Sequence, residues 1–386
     1  MRVLHLGKYY APYAGGIENF LVDLVKGTSA MGVANAVLVH QSAGVGSGVD
    51  GSLADDHAEL LFRSRSFGQL AYAPVSPGFP LALARMIKRF EPDLLHLHLP
   101  NTSAFWALFS PAARRIPWVV HWHSDVVGPG LDKHLALLYP FYRPFEQAVL
   151  RRASKIVATS PNYLESSPAL AGHRQRCETV SLGLDPARLA SASPTNSGPW
   201  RNPGHLRLLC VGRLARYKGL AHLVDAVAAT DKVELVIVGQ GPLQSALARK
   251  VQASGAEDRI RLAGSVEDET RNQWLSTCDL LVLPSVNRAE AFGLCLLEAM
   301  ACGKPVLATS VPGAGMSWVV EHGQTGWLVE PGDSKAMSAR LADLQVNRPK
   351  MKAAGKLATE RFGQRFHIHS VAECIVELYG QILGNR

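Results

Sequence analysis

Residues 278–306 read CDLLVLPSVNRAEAFGLCLLEAMACGKPV, and this stretch decides the fold of the chain. Its apolar start predicts a buried strand that ends at Pro284, and a helix is predicted to begin near Gly293 and to end at Gly303, before the next strand. The order strand, loop, helix places the loop at the carboxyl end of a parallel strand. Open α/β sheets bind their ligands at that end, where the N–H groups of a helix N-terminus favour an anion.

The same alternation of strands and helices extends over nearly the whole chain and predicts two parallel α/β domains. A length of 386 residues also favours two cores over one. The clearest break in composition is rich in Pro, Gly, Ser and Asn, which is typical of a linker. The last segment has apolar residues at helical spacing. We therefore predict a first Rossmann-like domain over residues 1–190, a linker over 191–204, a second Rossmann-like domain over 205–365 and a C-terminal helix over 366–386.

The composition excludes several classes of protein. With 47% hydrophobic and 19% charged residues, the chain is typical of a globular protein. No apolar run approaches the roughly 18 residues of a membrane span. The N-terminus lacks the pattern of a signal peptide, so we predict a cytoplasmic location. The six cysteines have no Cys-x-x-Cys spacing, which predicts neither a disulfide framework nor a cysteine metal site.

The net charge of +8 is shared evenly by the two halves of the chain, so neither half is a basic tail and we predict no nucleic-acid partner. Local clusters of basic residues occur in the first half. Two interpretations of them stay open: peripheral contact with the cytoplasmic face of an anionic membrane, or solvated helix faces. The clusters are Arg85, Lys88 and Arg89, then Arg114 and Arg115, then Arg151 and Arg152.

Two acids and two cations form the main candidate site. Glu290 and Glu298 are eight residues apart, one in the loop and one about a turn into the helix, where a carboxylate can accept hydrogen bonds from both hydroxyls of a ribose. Arg213 and Lys218 follow another apolar strand and reach its carboxyl end. Two cations at that position can hold a pyrophosphate. The alternatives are ordinary surface charge for the cations and an acid that offsets the helix dipole for Glu290.

Glycine turns and a His-x-His pattern supply the remaining candidates. Gly239 with Gly241, Gly264, and Gly15 with Gly16 each lie in a turn after a predicted strand, where glycine lets the backbone approach a ligand. None of these turns is a dinucleotide fingerprint. His121 and His123 share one face of a strand. A metal would need a further ligand beside them, so we predict no metal site.

The Glu-x7-Glu pattern in this context resembles the retaining glycosyltransferases of the two-Rossmann-domain (GT-B) fold. These are the glycosyltransferases of family 4, or group 1, to which sucrose synthases and bacterial mannosyltransferases belong. The segments that carry the resemblance are Pro12–Glu18, His121–Asp125, Val211–Gly219, Val238–Pro242, Leu262–Glu269, Asp279–Gly303 and Gly323–Gly332.

The resemblance implies a role for each candidate residue. It implies two domains that face each other across a cleft, with the last helix returning to the first domain. The implied residues are, for catalysis, His123, Arg213, Lys218 and Glu290; for donor binding, Gly15, Gly16, Gly239, Gly241, Gly264, Phe292, Gly293, Leu294 and Glu298; and for acceptor binding, Asp125.

The implied function is hexosyl transfer with retention of the anomeric configuration, without a metal or other cofactor. The donor is a nucleotide sugar, with a GDP-sugar of mannose or rhamnose favoured over a UDP-sugar. The acceptor is a carbohydrate or a lipid-linked oligosaccharide of polysaccharide assembly. Three alternatives stay open: a UDP-hexose-dependent enzyme, a nucleotide-sugar epimerase or glycan phosphorylase, and a noncatalytic nucleotide-sugar-binding subunit.

Overall fold

A computed structural model describes residues 1–13, 15–41, 57–70, 72–126, 133–190 and 198–384. The chain forms two compact units. One comprises residues 1–183 and 368–386, and the other comprises residues 184–367.

The first unit is built on a parallel sheet of seven strands. Its central strands are rich in Val and Leu and are buried along nearly their whole length, as expected for strands covered on both faces. The strand order is β3-β2-β1-β6-β7-β8-β9, and β4 and β5 form a separate antiparallel ribbon. The strands are β1 (Arg2–Leu6), β2 (Ala34–His40), β3 (Leu60–Ser64), β4 (Gln69–Leu70), β5 (Ala73–Pro74), β6 (Leu94–Leu99), β7 (Trp118–Trp122), β8 (Lys155–Ala158) and β9 (Cys177–Thr179).

The helices of the first unit follow its strands in the order of a doubly wound fold. Side chains cap two of the short helices at their N-termini, because Ser110 accepts the N–H of Ala113 and Ser160 accepts the N–H of Tyr163. The α-helices of the first unit between residues 16 and 166 are α1 (Gly16–Ser29), α2 (Phe79–Phe90), α3 (Trp106–Phe109), α4 (Pro111–Arg114), α5 (Lys133–Arg152) and α6 (Pro161–Ser166).

The second unit is a six-stranded parallel sheet with the order β12-β11-β10-β13-β14-β15. Taken in sequence, this is the strand order 3-2-1-4-5-6 of a Rossmann fold, which reverses between its first and fourth strands. The strands are β10 (Leu206–Val211), β11 (Val233–Val238), β12 (Ile260–Gly264), β13 (Leu280–Leu283), β14 (Val306–Thr309) and β15 (Gly326–Val329). The helices are α7 (Leu220–Ala228), α8 (Gln244–Ala253), α9 (Asp268–Thr277), α10 (Leu294–Ala301), α11 (Met316–Val319), α12 (Ser334–Val346) and α13 (Arg348–Arg365).

The last helix, α14 (Ile368–Gly384), packs against the first unit. Gly27 of α1 allows the close approach, since a Cβ at that position would lie 3.0 Å from the Cβ of Ala372. Tyr379 also lies on α14, and its hydroxyl is 2.5 Å from Nδ1 of His96. The helix therefore supplies part of the first unit's core.

The two units differ from the predicted domain ranges at the points where the chain passes from one unit to the other. The first unit gives way to the second at Gly183, where the prediction has residue 190, because residues 184–190 bond to the second unit: the amide of Asn272 donates to the carbonyl of Arg188. Of the predicted linker, residues 191–197 lie outside the described residues. The rest is attached to the second unit, since Glu234 accepts the backbone N–H groups of Arg201 and Asn202.

Among the described residues, none of the helices is both long and apolar enough to cross a membrane.

Candidate active site

Two loops of the second unit meet where its strand order reverses. β10 and β13 are neighbours in the sheet, and the loops that carry Lys218 and Glu290 leave their carboxyl ends. The N–H of Val286 in one loop donates to the carbonyl of Tyr217 in the other, at 2.8 Å. This reversal point is where open α/β sheets bind ligands. The structure therefore places the predicted acids and cations at the expected edge of the sheet.

Lys218 and Glu290 form a buried ion pair. Nζ of Lys218 lies 2.5 Å from Oε2 of Glu290, and the two side chains are only 10% and 12% exposed. The Ser285 hydroxyl donates to the same carboxylate oxygen at 3.2 Å. Burial alone would lower the pKa of the Lys218 ammonium, but the Glu290 carboxylate, with smaller effects from Cys295 and Tyr217, outweighs burial and raises the pKa above its ordinary value. Lys218 is therefore a permanent buried cation.

Glu298 lies on α10, one turn and a half after Gly293, and is 6% exposed. Nη2 of Arg271 lies 4.0 Å from Oε1 of Glu298. Burial raises the pKa of the Glu298 carboxyl, and the guanidinium groups of Arg271 and Arg188 offset part of that rise. Ser285, Arg271 and Arg188 were not predicted, because nothing in their local sequence separates them from ordinary polar residues.

Three predicted donor residues, Phe292, Gly293 and Leu294, lie at the start of α10. Gly293 precedes the helix, and the N–H of Leu296 donates to its carbonyl at 2.9 Å. Leu294 is the first helical residue and is half-buried. Phe292 is 3% exposed and its ring lies edge-on to that of Phe366 at 6.2 Å. The side chain of Phe292 is thus part of the core, and only its backbone can face a phosphate.

The predicted glycine turns lie at the carboxyl ends of adjacent strands. The N–H of Gly212 donates to the carbonyl of Val238, and the N–H of Gly239 donates to the carbonyl of Gly264. A Cβ at Gly241 would lie 2.5 Å from the carbonyl oxygen of Leu214. Backbone contacts therefore explain glycine at positions 239 and 241. Arg213, in the first of these turns, is exposed.

In the first unit, the glycines Gly15 and Gly16 lie at the N-terminus of α1, after the loop that follows β1. Glu18 in the first turn of the helix is buried, and burial raises the pKa of its carboxyl. In the same sheet, β1 and β6 are the neighbours between which the strand order reverses. The glycines therefore lie beside the strand-order reversal of the first unit, the position in its sheet that corresponds to that of Lys218 and Glu290 in the second.

His123 belongs to a cluster of five buried histidines. Burial lowers the pKa of His123 to about 3, so its ring is neutral at physiological pH. Two sets of three rings bring ligand nitrogens within 4.8 Å of one another, as a metal site would require: His5, His96 and His98, and His98, His121 and His123. The prediction of no metal rested on a missing further ligand beside His121 and His123, and His98 supplies that ligand.

Asp125 is anchored by its neighbours. Its Oδ1 accepts hydrogen bonds from Nε1 of Trp122 at 3.0 Å and from the hydroxyl of Ser167 at 2.6 Å, and its N–H donates to the hydroxyl of Tyr163 at 2.7 Å. Asp125 also lines a largely apolar cavity of about 590 Å³ with Tyr139 and other residues of α5. The predicted acceptor residue therefore borders a cavity large enough for a substrate.

Family models match both units. Residues 15–183 match a glycosyl transferase 4-like domain, and residues 205–347 match the glycosyl transferases group 1. The chain belongs to this glycosyltransferase family. Among curated proteins, the glycosyltransferase is 31% identical to D-rhamnosyltransferase WbpZ of Pseudomonas aeruginosa, over 95% of this chain and 92% of that one. It is 29% identical to O-antigen chain mannosyltransferase C of Escherichia coli over the full length of both.

Solved structures confirm the predicted fold class, two Rossmann-like domains of the GT-B type. The glycosyltransferase matches sucrose-phosphate synthase from Thermosynechococcus elongatus with a TM-score of 0.80 at 22% identity, over all of both chains. It matches Anabaena HepE in complex with UDP-glucose with a TM-score of 0.77 at 24% identity, over 99% of this chain and 100% of that chain. The family models and the 31% identical relative, in turn, confirm the family resemblance inferred from the motifs.

Proposed function

We propose that the protein transfers mannose or rhamnose from a GDP-sugar to a carbohydrate or lipid-linked oligosaccharide of polysaccharide assembly, with retention and without a metal. The observation that carries the proposal is the buried Lys218–Glu290 pair, which shares a sheet edge with Glu298. The names of the rhamnosyltransferase and mannosyltransferase relatives support the choice of sugar. A UDP-hexose donor is the alternative, favoured by the UDP-glucose complex of a protein with this fold.

In the proposed site, each side chain acts on one part of the donor. Arg213 and Lys218 hold the diphosphate and stabilise the charge that develops on the leaving nucleotide, and the backbone at the start of α10 adds N–H donors. Glu298 accepts the ribose hydroxyls. Glu290 bonds to hydroxyls of the transferred sugar while it orients Lys218. The charges of Lys218, Glu290 and Glu298 are held in a buried site, where they act more strongly than in water.

The acceptor hydroxyl then attacks the anomeric carbon from the face that the phosphate leaves. The C–O bond to the diphosphate breaks, the new glycosidic C–O bond forms, and a diphosphate oxygen takes the proton of the hydroxyl. His123 binds the transferred sugar and Asp125 the acceptor. Catalysis then rests on positioning and on electrostatic stabilisation. Retention is read from the anomeric configuration of the product by NMR, and metal independence from turnover in excess EDTA.

Thermal unfolding with GDP, UDP, ADP, TDP and their sugars tests the donor. A ligand at 100 times its dissociation constant stabilises the folded protein by about 2.7 kcal/mol. We expect this stabilisation from GDP and GDP-mannose, and its loss in Glu298→Ala. Glu257→Ala is the matched control, because Glu257 is an exposed acid that precedes β12, at the opposite edge of the same sheet.

Other outcomes of this experiment separate the alternatives. A preference for UDP would keep the fold and replace the donor. Stabilisation without turnover on any acceptor would favour a noncatalytic binding subunit, and a changed sugar without transfer would favour an epimerase. No response to any nucleotide would contradict the proposed function.

A second part of the proposal concerns the membrane. The first unit carries an exposed aromatic surface made of Trp106, Phe109, Phe141 and Phe145, with exposed fractions from 41% to 75%. The ring centroids of Trp106 and Phe109 lie 6.0 Å apart, and those of Phe109 and Phe145 lie 6.2 Å apart. Patches of this kind mark interaction sites. The aromatic surface suits contact with a membrane.

A basic helix face supports the same contact. Arg85, Lys88 and Arg89 are all exposed on α2, which packs against α3 and α4. Each basic side chain near an anionic membrane contributes about 1 kcal/mol of binding free energy. We therefore propose that the aromatic surface and this basic face bring the first unit to an anionic membrane, where a lipid-linked acceptor would be found.

Co-sedimentation with vesicles tests this contact. We expect binding to vesicles that contain anionic lipid, little binding to neutral vesicles, and weaker binding at high salt. Phe109→Ser with Phe141→Ser should reduce binding, and so should Arg85→Glu with Lys88→Glu. Val346→Ser is the matched control, since Val346 is 70% exposed but lies on the second unit. Equal binding by all variants would contradict the proposed surface.

A further inference from the structure

Five imidazole rings share one face of the first unit's sheet. His5 lies opposite His96 in the pairing of β1 with β6, and His98 lies opposite His121 in the pairing of β6 with β7. His123 is two residues beyond His121 and so has the same orientation. All five rings are at most 3% exposed. A cluster of this size in a protein core needs an account of its hydrogen bonds.

Three of the five rings form a single hydrogen-bonded path that starts at Asn35. Nε2 of His5 lies 3.0 Å from Oδ1 of Asn35, and Nδ1 of His5 lies 3.2 Å from Nε2 of His98. Nδ1 of His98 then lies 3.1 Å from Nε2 of His123. His96 and His121 stack within the cluster but stand outside this path.

The environment of Asn35 sets the direction of the path. Its Nδ2 lies between 2.8 and 3.3 Å from four oxygens, those of Val25, Thr28, Ser29 and Val33. The hydroxyls of Thr28 and Ser29 donate to other carbonyls, so they can only accept from Asn35. Nδ2 of Asn35 therefore faces these four oxygens, and Oδ1, which can only accept, faces His5.

Because the path starts at an acceptor, it determines which nitrogen carries the proton in each of the three rings. Burial lowers the pKa of His5 to about 4, lowers the pKa of His98 well below its ordinary value, and lowers the pKa of His123 to about 3. Each ring is thus neutral, with one donor and one acceptor nitrogen. His5 donates from Nε2 to Asn35 and accepts at Nδ1 from Nε2 of His98. His98 then accepts at Nδ1 from Nε2 of His123.

We infer that Asn35, His5 and His98 are positioning residues that fix His123 as its Nε2–H tautomer and leave its Nδ1 as a lone pair for a hydroxyl of the transferred sugar. Among the residues that the structure describes, Nδ1 of His123 has no hydrogen-bond partner. A buried acceptor without a partner costs free energy that a ligand's hydroxyl can recover. The inference rests on the proposed role of His123.

A metal ion is the competing use of the same rings. Both three-histidine sets include His98. The path engages both nitrogens of His98, so a metal would have to displace at least one of its two hydrogen bonds. The two arrangements therefore exclude each other, and the protonation of His98 and His123 distinguishes them.

Long-range ¹H–¹⁵N spectra of the histidine-labelled full chain, without ligand, test the inference directly. We expect His5, His98 and His123 to be neutral and protonated at Nε2, with spectra that EDTA does not change. A proton on Nδ1 of His98 or His123 would overturn the inference, and so would a change on adding EDTA. This measurement needs no transferase activity, so failure of the proposed function would not be mistaken for failure of the path.

Two variants connect the path to turnover. Asn35→Leu removes the first acceptor, and we expect the His123 spectrum to become a mixture of tautomers and kcat to fall roughly tenfold or more, because a ring in the wrong tautomer presents a donor in place of an acceptor. His121→Phe is the matched control: its ring stacks on His123 at 4.4 Å but lies outside the path. It should leave the His123 tautomer unchanged. Equal effects of the two variants on that tautomer would overturn the inference, and the wild-type spectra decide the matter if Asn35→Leu does not fold.

Discussion

Lys218→Met is expected to abolish hexosyl transfer and to lower the free energy of unfolding by about 3–5 kcal/mol. The stability loss follows because the substitution leaves the Glu290 carboxylate buried without its cation, and that side chain is only 12% exposed. The loss of activity follows because methionine cannot stabilise a departing diphosphate. Chemical denaturation and a transfer assay on the same preparation measure the two effects.

The double variant Lys218→Met with Glu290→Gln separates the structural effect from the catalytic one. Replacing both charges of a buried pair is often nearly neutral for stability, so we expect most of the lost free energy of unfolding to return while transfer stays absent. Lys250→Met is the matched control, since Lys250 pairs with Asp225 at 2.6 Å but both side chains are at least 33% exposed. An exposed pair contributes at most about 1 kcal/mol. Transfer at the wild-type rate by the double variant would contradict the phosphate-binding role.

Gly239→Ala is expected to destabilise the second unit by roughly 4 kcal/mol or more, placing it among the most damaging single changes in the chain. Gly239 has φ of +137°, and a Cβ there would lie 2.0 Å from the carbonyl oxygen of Gly212. That oxygen belongs to the backbone of the neighbouring strand end, so it cannot move aside as the tip of a side chain could. We expect a large fall in the unfolding midpoint or failure to fold.

Gly264→Ala is the control that separates backbone conformation from lack of space. Gly264 has φ of +70°, but no atom lies within 4 Å of the position that its Cβ would take. The cost should therefore be limited to about 1–2 kcal/mol for the left-handed conformation. A similar loss in both variants would mean that the close contact with Gly212 is not what requires glycine. Because Gly264→Ala should fold, its affinity for nucleotides also tests the predicted donor role of this turn.

The sequence was sufficient to predict that Lys218, Glu290 and Glu298 lie at one edge of the second unit's sheet, because each follows a strand or helix start that the local pattern indicates. Glu290 and Glu298 flank one helix start, and Lys218 follows one strand, so strand order alone brings them to the same sheet edge. Ser285 and Arg271 were missed because their contacts depend on side-chain packing and leave no spacing pattern. The boundary was predicted from a segment rich in proline and glycine, which is typical of a linker. The units divide earlier, after Gly183, because residues 184–190 make their contacts with the second unit.

The histidine cluster shows the same limit more sharply. His121 and His123 are visible as a pair in the sequence, but their partners His98 and His5 are separated from them by 23 or more residues. Only the pairing of β1, β6 and β7 brings the rings together. The prediction that this His-x-His pattern binds no metal was therefore made without the additional imidazole nitrogens that the sheet brings close to it.

The return of α14 to the first unit has a consequence for biosynthesis. The first unit is interrupted in sequence, and its helix α14 leaves the ribosome only after residues 184–367, which form an unbroken segment. The second unit can therefore complete its fold while the first still lacks the helix that covers Gly27 and bonds His96. Domains usually mature from the N-terminus onward during synthesis. In this protein the half that starts first finishes last, so a premature stop before Ile368 would release an intact second unit attached to an unfinished first one.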